Sequence, residues 1–246
     1  MAKAPQAEQL RLLDLQASDS KLNQLQRQAA TVSANPELVA LAAQVADAES
    51  ALVSAATNLG DAERDLTRAE DDVQAVVTRL ERDEQRLNSG SGTSKDLTAL
   101  QSEVTSLTRR RSDLEDIELE VMERVEAARA ARDDARKRSE TVRSQLGELE
   151  RARDEELGRI DAERAEVQAA RDQLAASFEP ALLAIYERTL AKRGVGAARL
   201  FHGRSEGSGM ELSPGDLADI SRAAADDVVF CPDSGCILVR SSEWGS

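Results

Sequence analysis

Aromatic residues are almost missing from this 246-residue chain: phenylalanine, tyrosine and tryptophan together make up 2 %. Large buried side chains are what a thick core is built from, so a conventional enzyme fold over the whole length is not expected. Alanine supplies much of the 41 % hydrophobic fraction, and 32 % of residues are charged, the profile of long solvated helices. There is one histidine, His202, and there are two cysteines, Cys231 and Cys236. That is too few for a disulfide framework, and it suits a reducing, cytoplasmic compartment. The N-terminus has no apolar run long enough for a signal peptide, and no segment is expected to approach the roughly 20 apolar residues of a membrane span. A net charge of -14 removes any overall attraction to nucleic acid or an anionic membrane. Proline is absent between residues 37 and 179, and nothing there interrupts a helix.

What is present is a repeat. From Leu38 the apolar positions advance in alternating steps of three and four through Leu41, Val45, Leu52, Leu59, Leu66, Val73 and Leu80 to Leu87, the seam of a coiled coil. The run Asn88-Ser-Gly-Ser-Gly-Thr93 breaks it with turn-forming residues. The steps resume at Leu97 and continue through Leu114, Val121, Val142 and Ile160 to Leu174, with Arg, Glu and Ser at several seam positions.

Helices are therefore predicted over about 6–32, 36–88 and 94–178, with a tip at 88–94. At 1.5 Å per residue the second and third would span about 80 and about 125 Å. The first helix, with Leu10, Leu13, Leu22 and Leu25 on one side, supplies the missing length. The prediction is a mainly α protein: a long antiparallel coiled-coil hairpin over 1–178, followed by a linker helix and a small β-containing module over 179–246. A parallel homodimer is the competing arrangement, which the SGSG hinge opposes. Self-association stays open because Arg and Glu interrupt the seam.

All the aromatics lie in the last third: Phe178, Tyr186, Phe201, Phe230 and Trp244. A helix is predicted over Pro180–Arg193, β-runs over Ala197–His202, Asp227–Phe230 and Ile237–Arg240, and a helix opened by Ser213-Pro214. Packing of Phe201, Phe230, Ile237, Leu238 and Val239 against Leu182, Tyr186 and Leu190 is the expected core.

The tip sequence Lys95-Asp-Leu-Thr-Ala-Leu-Gln-Ser-Glu103, the helix segment Tyr186-Glu-Arg188 and the ending Cys231-Pro-Asp-Ser-Gly-Cys-Ile-Leu238 together resemble a bacterial family of coiled-coil hairpins that end in a C4-type zinc ribbon. The resemblance covers essentially the whole chain. It implies a chaperone-like or regulatory adaptor, with zinc held by two Cys-x-x-Cys pairs. Here those four positions are Ser205, Ser208, Cys231 and Ser234, so three thiols are replaced by hydroxyls, which are poor zinc ligands. The resemblance thus implies a degenerate ribbon with no cofactor. A rebuilt zinc site would have to draw on His202, Cys231 and Cys236 with Glu206 or Asp233.

No catalytic residues can be assembled: no Ser-His-Asp set, no phosphate-cradling loop, and carboxylates that read as the wet faces of a coiled coil. The chain is read as a non-enzyme. Its function is read as protein interaction, an adaptor or chaperone-like scaffold, with contacts at Lys95, Leu97, Leu100 and the Arg109-Arg110-Arg111 cluster, and at Tyr186 and Arg188. The alternative is a nucleic-acid-binding or transcription-related regulator acting through Arg188, Lys192, Arg193, Arg199 and Arg204 in the basic segment 188–204. Against it, residues 205–246 hold two arginines and eight acids, Glu243 among them, a balance of -6.

Overall fold

The computed structural model describes residues 2–241 and 244; Met1 and Glu243 lie outside the described residues. The helices are α1 (Gln6–Ser33), α2 (Pro36–Asn88), α3 (Ser94–Ala175), α4 (Pro180–Arg193) and α5 (Pro214–Arg222). The strands are β1 (Ala197–Phe201), β2 (Arg204–Ser205), β3 (Met210–Glu211), β4 (Val229–Phe230) and β5 (Ile237–Arg240). The third helix closes at Ala175, before Phe178, because Ser177 and Phe178 turn their N–H groups back to Leu174 and Ala175. Two compact units result, residues 36–151 and residues 1–35 with 152–246, a division that cuts across the expected boundary at 178.

The unit formed by residues 36–151 is an antiparallel pair, α2 against the first part of α3. Ion pairs Arg79–Glu103, Arg124–Asp65, Arg129–Glu63 and Arg143–Glu49 mark the register along it. Exposed pairs of this kind contribute about 0–1 kcal/mol each, so the seam carries the stability. Leu38, Leu59, Ala69 and Leu80 of α2 are buried, as are Leu114, Val121 and Val125 of α3. The intervening seam positions are half-buried, since one partner helix covers only one side of them. Two polar residues of this unit are buried along the seam, Asp83 and Ser139.

The α2 stretch corrects one expectation. Within Gln6–Asn88 an 18-residue window reaches a mean hydropathy of 1.4, which is long and apolar enough for a span by composition. Alanine and valine produce that value, with Val39 and Val53 lying off the seam at 73 % and 65 % exposure.

In the other unit, five strands form one sheet in the order β3-β2-β1-β5-β4, with β1 and β5 parallel at its centre and the rest antiparallel. The two-residue strands β2 and β3 were too short to show a period-two pattern in the sequence. On one face of the sheet Ala197, Ile237 and Val239 pack against Leu12, Leu15, Phe178, Leu182 and Tyr186. On the other, Ala198, Leu200 and Leu238 join Leu212, Ile220, Cys231 and Cys236. The predicted core was therefore half right. Ile237 and Val239 do face Tyr186, but Leu238 points the opposite way, as strand alternation requires. Phe230, on edge strand β4, is 45 % exposed. The buried face of α1 is Gln9, Leu12, Leu15, Asp19 and Leu25, not the Leu10 side, and Leu10 is exposed.

Residues 2–4 bridge the segment that leads into β4. Ala4 N–H donates to Asp226 and Val228 N–H to Ala2, forming an antiparallel bridge at Lys3 and Asp227.

Candidate functional site

The hairpin tip is built by Ser89–Gly92, with Gly90 and Gly92 at positive φ. It is closed by a reciprocal cap. Thr93 N–H donates to the Asp96 carboxylate, and Asp96 N–H donates to Thr93 Oγ1, satisfying two of the free donors at the start of α3. The hydroxyl and backbone donors of Thr93 hold the Asp96 carboxyl below its ordinary range. Beyond the cap, Lys95 is exposed and Leu97 and Leu100 are half-buried. Arg109 and Arg110 are exposed, while Arg111 is drawn toward Glu115 at 3.2 Å.

Tyr186, expected at a partner contact, is instead fully buried. Its hydroxyl donates to Asp19 Oδ2 at 2.6 Å, and Arg171 Nε donates to Asp19 Oδ1 at 3.1 Å. Gln16 Oε1 accepts from the N–H of Gly196 at 2.7 Å, so α1 ties α4 to the first strand. A Cβ on Gly196 would run into the tyrosine ring, which explains glycine there. None of Asp19, Gln16 or Arg171 was singled out from the sequence. The available signal was Asp19 standing four residues after Leu15, in seam register.

Burial, then the Asp19 hydrogen bond and charge, push the Tyr186 phenol far above its ordinary value. The folded state thus keeps a proton that the unfolded state gives up, so this contribution is complete below about pH 10 and is lost as pH rises beyond it. Tyr186 is the chain's one tyrosine. The folded protein is expected to show no tyrosinate absorbance above about pH 10 until it unfolds, with a flatter alkaline stability slope for Tyr186→Phe. A phenolate that titrates at its ordinary value in the folded chain would refute this.

Of the basic segment, Arg188, Lys192 and Arg193 are exposed. Arg199 pairs with Glu206 at 2.7 Å and lies over the Phe201 ring. Arg204 donates to the carbonyl of Gly209, holding the β2–β3 turn. Those two arginines have structural work that the sequence did not reveal.

The four positions that the resemblance assigns to zinc come together between β2, β3 and the β4–β5 turn. Ser205 is fully buried, and its hydroxyl makes no well-formed hydrogen bond. The Cys231 thiol points to Ser208 Oγ at 4.0 Å and accepts from Ser234 N–H at 3.5 Å. The Ser234 hydroxyl donates to Cys236 Sγ at 3.1 Å. Burial pushes the Cys231 thiol up, but nearby Ser205 and Ser234 outweigh it and bring the thiol below its ordinary value. Burial dominates at Cys236 and raises it.

One thiol and three hydroxyls do not fit zinc, which takes four thiolate or imidazole donors in such sites. The rebuilding residues are not gathered either. His202 is exposed at φ 46 beside Phe201, Glu206 is engaged by Arg199, and Asp233 is exposed. Among the described residues no group of three or more His, Cys, Asp or Glu side chains is placed to hold a metal ion.

The comparisons agree with this architecture. Residues 204–238 match the C4-type zinc ribbon domain, and residues 15–194 match the CT398-like coiled coil hairpin domain. The uncharacterized protein MT2288 of Mycobacterium tuberculosis is 35 % identical over 238 residues, covering 97 % of each chain. A relative from Mycobacterium leprae is 33 % identical over 178 residues, covering 68 % of this chain and 72 % of its own. A solved structure from Mycobacterium smegmatis superposes with a TM-score of 0.81 at 32 % identity, covering 97 % of this chain and all of that one. CT398 from Chlamydia trachomatis shares the fold at 18 % identity, with a TM-score of 0.61 over 95 % of this chain and 97 % of its own. With a long α2–α3 hairpin, a five-stranded terminal sheet and these matches, the chain belongs to the CT398-like coiled-coil hairpin family and carries a C4-type zinc ribbon domain.

Proposed function

We propose that the chain is a non-enzymatic, cytoplasmic adaptor or chaperone-like scaffold that binds protein partners through its terminal module and its hairpin tip. The observation that carries this reading is an open apolar depression of about 320 Å³ between α5 and β4. It is floored by Ile220, Val228 and Val229, bordered by Phe230 and Pro232, and rimmed by Asp216 and Asp219. An aromatic left 45 % exposed beside such a depression is a hydrophobic contact awaiting a protein surface. On the hairpin, Ile117, Leu119 and Met122 are likewise 46–58 % exposed.

A photo-crosslinking amino acid in place of Phe230, and separately of Leu97, tests it in cells. Discrete protein adducts are expected from each position, and the Phe230 adduct should be lost when Val229→Asp charges the depression. Nucleic-acid adducts that vanish on reversing Arg188, Lys192 and Arg193 would instead establish the alternative regulator. Adducts between copies of this chain alone would mean self-association rather than an adaptor.

A further inference from the structure

We propose that Cys231 and Cys236 form a redox-modification site, a dithiol that closes to an intrachain disulfide when a hydroperoxide reaches it. The register of the β4–β5 hairpin carries the inference. Phe230 faces Ile237 and Val229 faces Leu238, so the next pair outward is Cys231 opposite Cys236. The backbone confirms that pairing, since Cys231 N–H donates to the Cys236 carbonyl at 2.8 Å. Facing residues of an antiparallel pair stand about 4.5–5.5 Å apart at Cα and project to the same side of the sheet. A disulfide accepts Cα separations of about 4.4–6.8 Å, so the backbone register of the hairpin is compatible with the bond.

The side chains bear this out. Ser234, within the turn, touches both sulfurs, its N–H on Cys231 at 3.5 Å and its hydroxyl on Cys236 at 3.1 Å. Both cysteines are reduced and buried in the same cluster. Space beside Cys236 is kept by Gly207, where a Cβ would come within 2.6 Å of the sulfur. Cys236 thus faces Cys231 across the hairpin and packs closely on Gly207, although the resemblance assigns it no ligand position.

The chemistry balances with one hydroperoxide. The Cys231 thiolate attacks the peroxide oxygen and breaks the O–O bond, giving a sulfenic acid and, for hydrogen peroxide, one water after protonation. The Cys236 sulfur then attacks the Cys231 sulfur. The S–O bond breaks, the S–S bond forms, and a second water leaves with the Cys236 proton. Two thiols lose two electrons and the peroxide gains them. A dithiol reductant reverses the step by exchange, so the bond is a transient one of the kind reducing compartments permit.

The test is hydrogen peroxide treatment of the reduced full-length protein, followed by thiol counting and intact mass. Both thiols should disappear together, with loss of two hydrogens, no added oxygen, and full recovery in dithiothreitol. Cys231→Ser and Cys236→Ser should each fail to lose the hydrogens. Tryptophan fluorescence from Trp244, which packs on the same cluster, reports that the protein stays folded throughout. Oxygen adducts on one cysteine, disulfide-linked dimers, or thiols that persist in the folded chain while the urea-unfolded chain is oxidised would each overturn the proposal.

Discussion

An Arg240→Met chain is expected to lose its terminal sheet at temperatures where its long helices persist. Arg240 ends the central strand β5 and is buried at 7 % exposure. Its guanidinium donates to the carbonyls of Ile220, Ala223, Ala224, Ala225 and Asp227, at 2.6–3.4 Å. Those carbonyls close α5 and the loop after it, where the helix dipole also favours a cation. Methionine fills the space but leaves the acceptors without donors. Each unsatisfied buried group costs about 1–3 kcal/mol, so a total on the order of 3 kcal/mol or more is expected, against a domain stability of roughly 5–15 kcal/mol. Arg240→Lys should recover less than half, because an ammonium offers three donors from a point and not a planar fork. Trp244 fluorescence followed during urea unfolding reads the sheet, and far-ultraviolet dichroism reads the long helices. A variant whose fluorescence midpoint matches the wild type would show that water replaces the guanidinium at no cost.

The second large effect is expected at Asp19. Asp19→Ala removes the acceptor shared by Tyr186 and Arg171 and leaves a cation that is only 14 % exposed at its side chain without its buried carboxylate. Glu187 also bonds Arg171, at 3.4 Å, but is half exposed. Breaking a buried pair from one side costs about 3–5 kcal/mol, and urea unfolding should show a loss of that order. The double variant Asp19→Ala with Arg171→Met should regain much of it, because no charge is then stranded. Equal losses in the single and double variants would mean that the pair is not coupled and that Asp19 matters only through the tyrosine.

Most of the helical architecture was legible because it rests on signals that survive in one dimension. The three-and-four spacing from Leu38 to Leu80 marks the half-buried stripe of α2. Asn88 to Thr93 marks the tip, and Ser213-Pro214 opens α5 with Ser213 accepting from Asp216 N–H. Gly194 closes α4 in the left-handed conformation. What stayed hidden is polar and long-range. Arg240 ends a predicted β-run with no role assigned to it, since nothing in its neighbourhood announces five carbonyls that arrive from residues 220–227. Asp19 looked like a solvated face, because an acid in a seam is indistinguishable from a seam defect until its partners at 171 and 186 are known. Phe230 was assigned to the core on hydrophobicity alone, and an edge strand has a side with nothing to cover it. At Ser205, Ser208 and Ser234, the serines in place of the resemblance's cysteines could be read letter by letter. The close approach of Ser234 to both sulfurs needed the turn.

The bridge between Lys3 and Asp227 has a bearing on how the protein is made. Residues 36–151 are one uninterrupted stretch, and they can pair as soon as they leave the ribosome. The unit that contains the sheet is discontinuous in sequence. Ala2–Ala4 is translated before the segment it bridges and must wait until residues 226–228 have been made. Vectorial synthesis therefore orders the two units, hairpin first and terminal sheet last. A nascent chain stalled anywhere before residue 226 leaves Ala2–Ala4 without the segment they bridge.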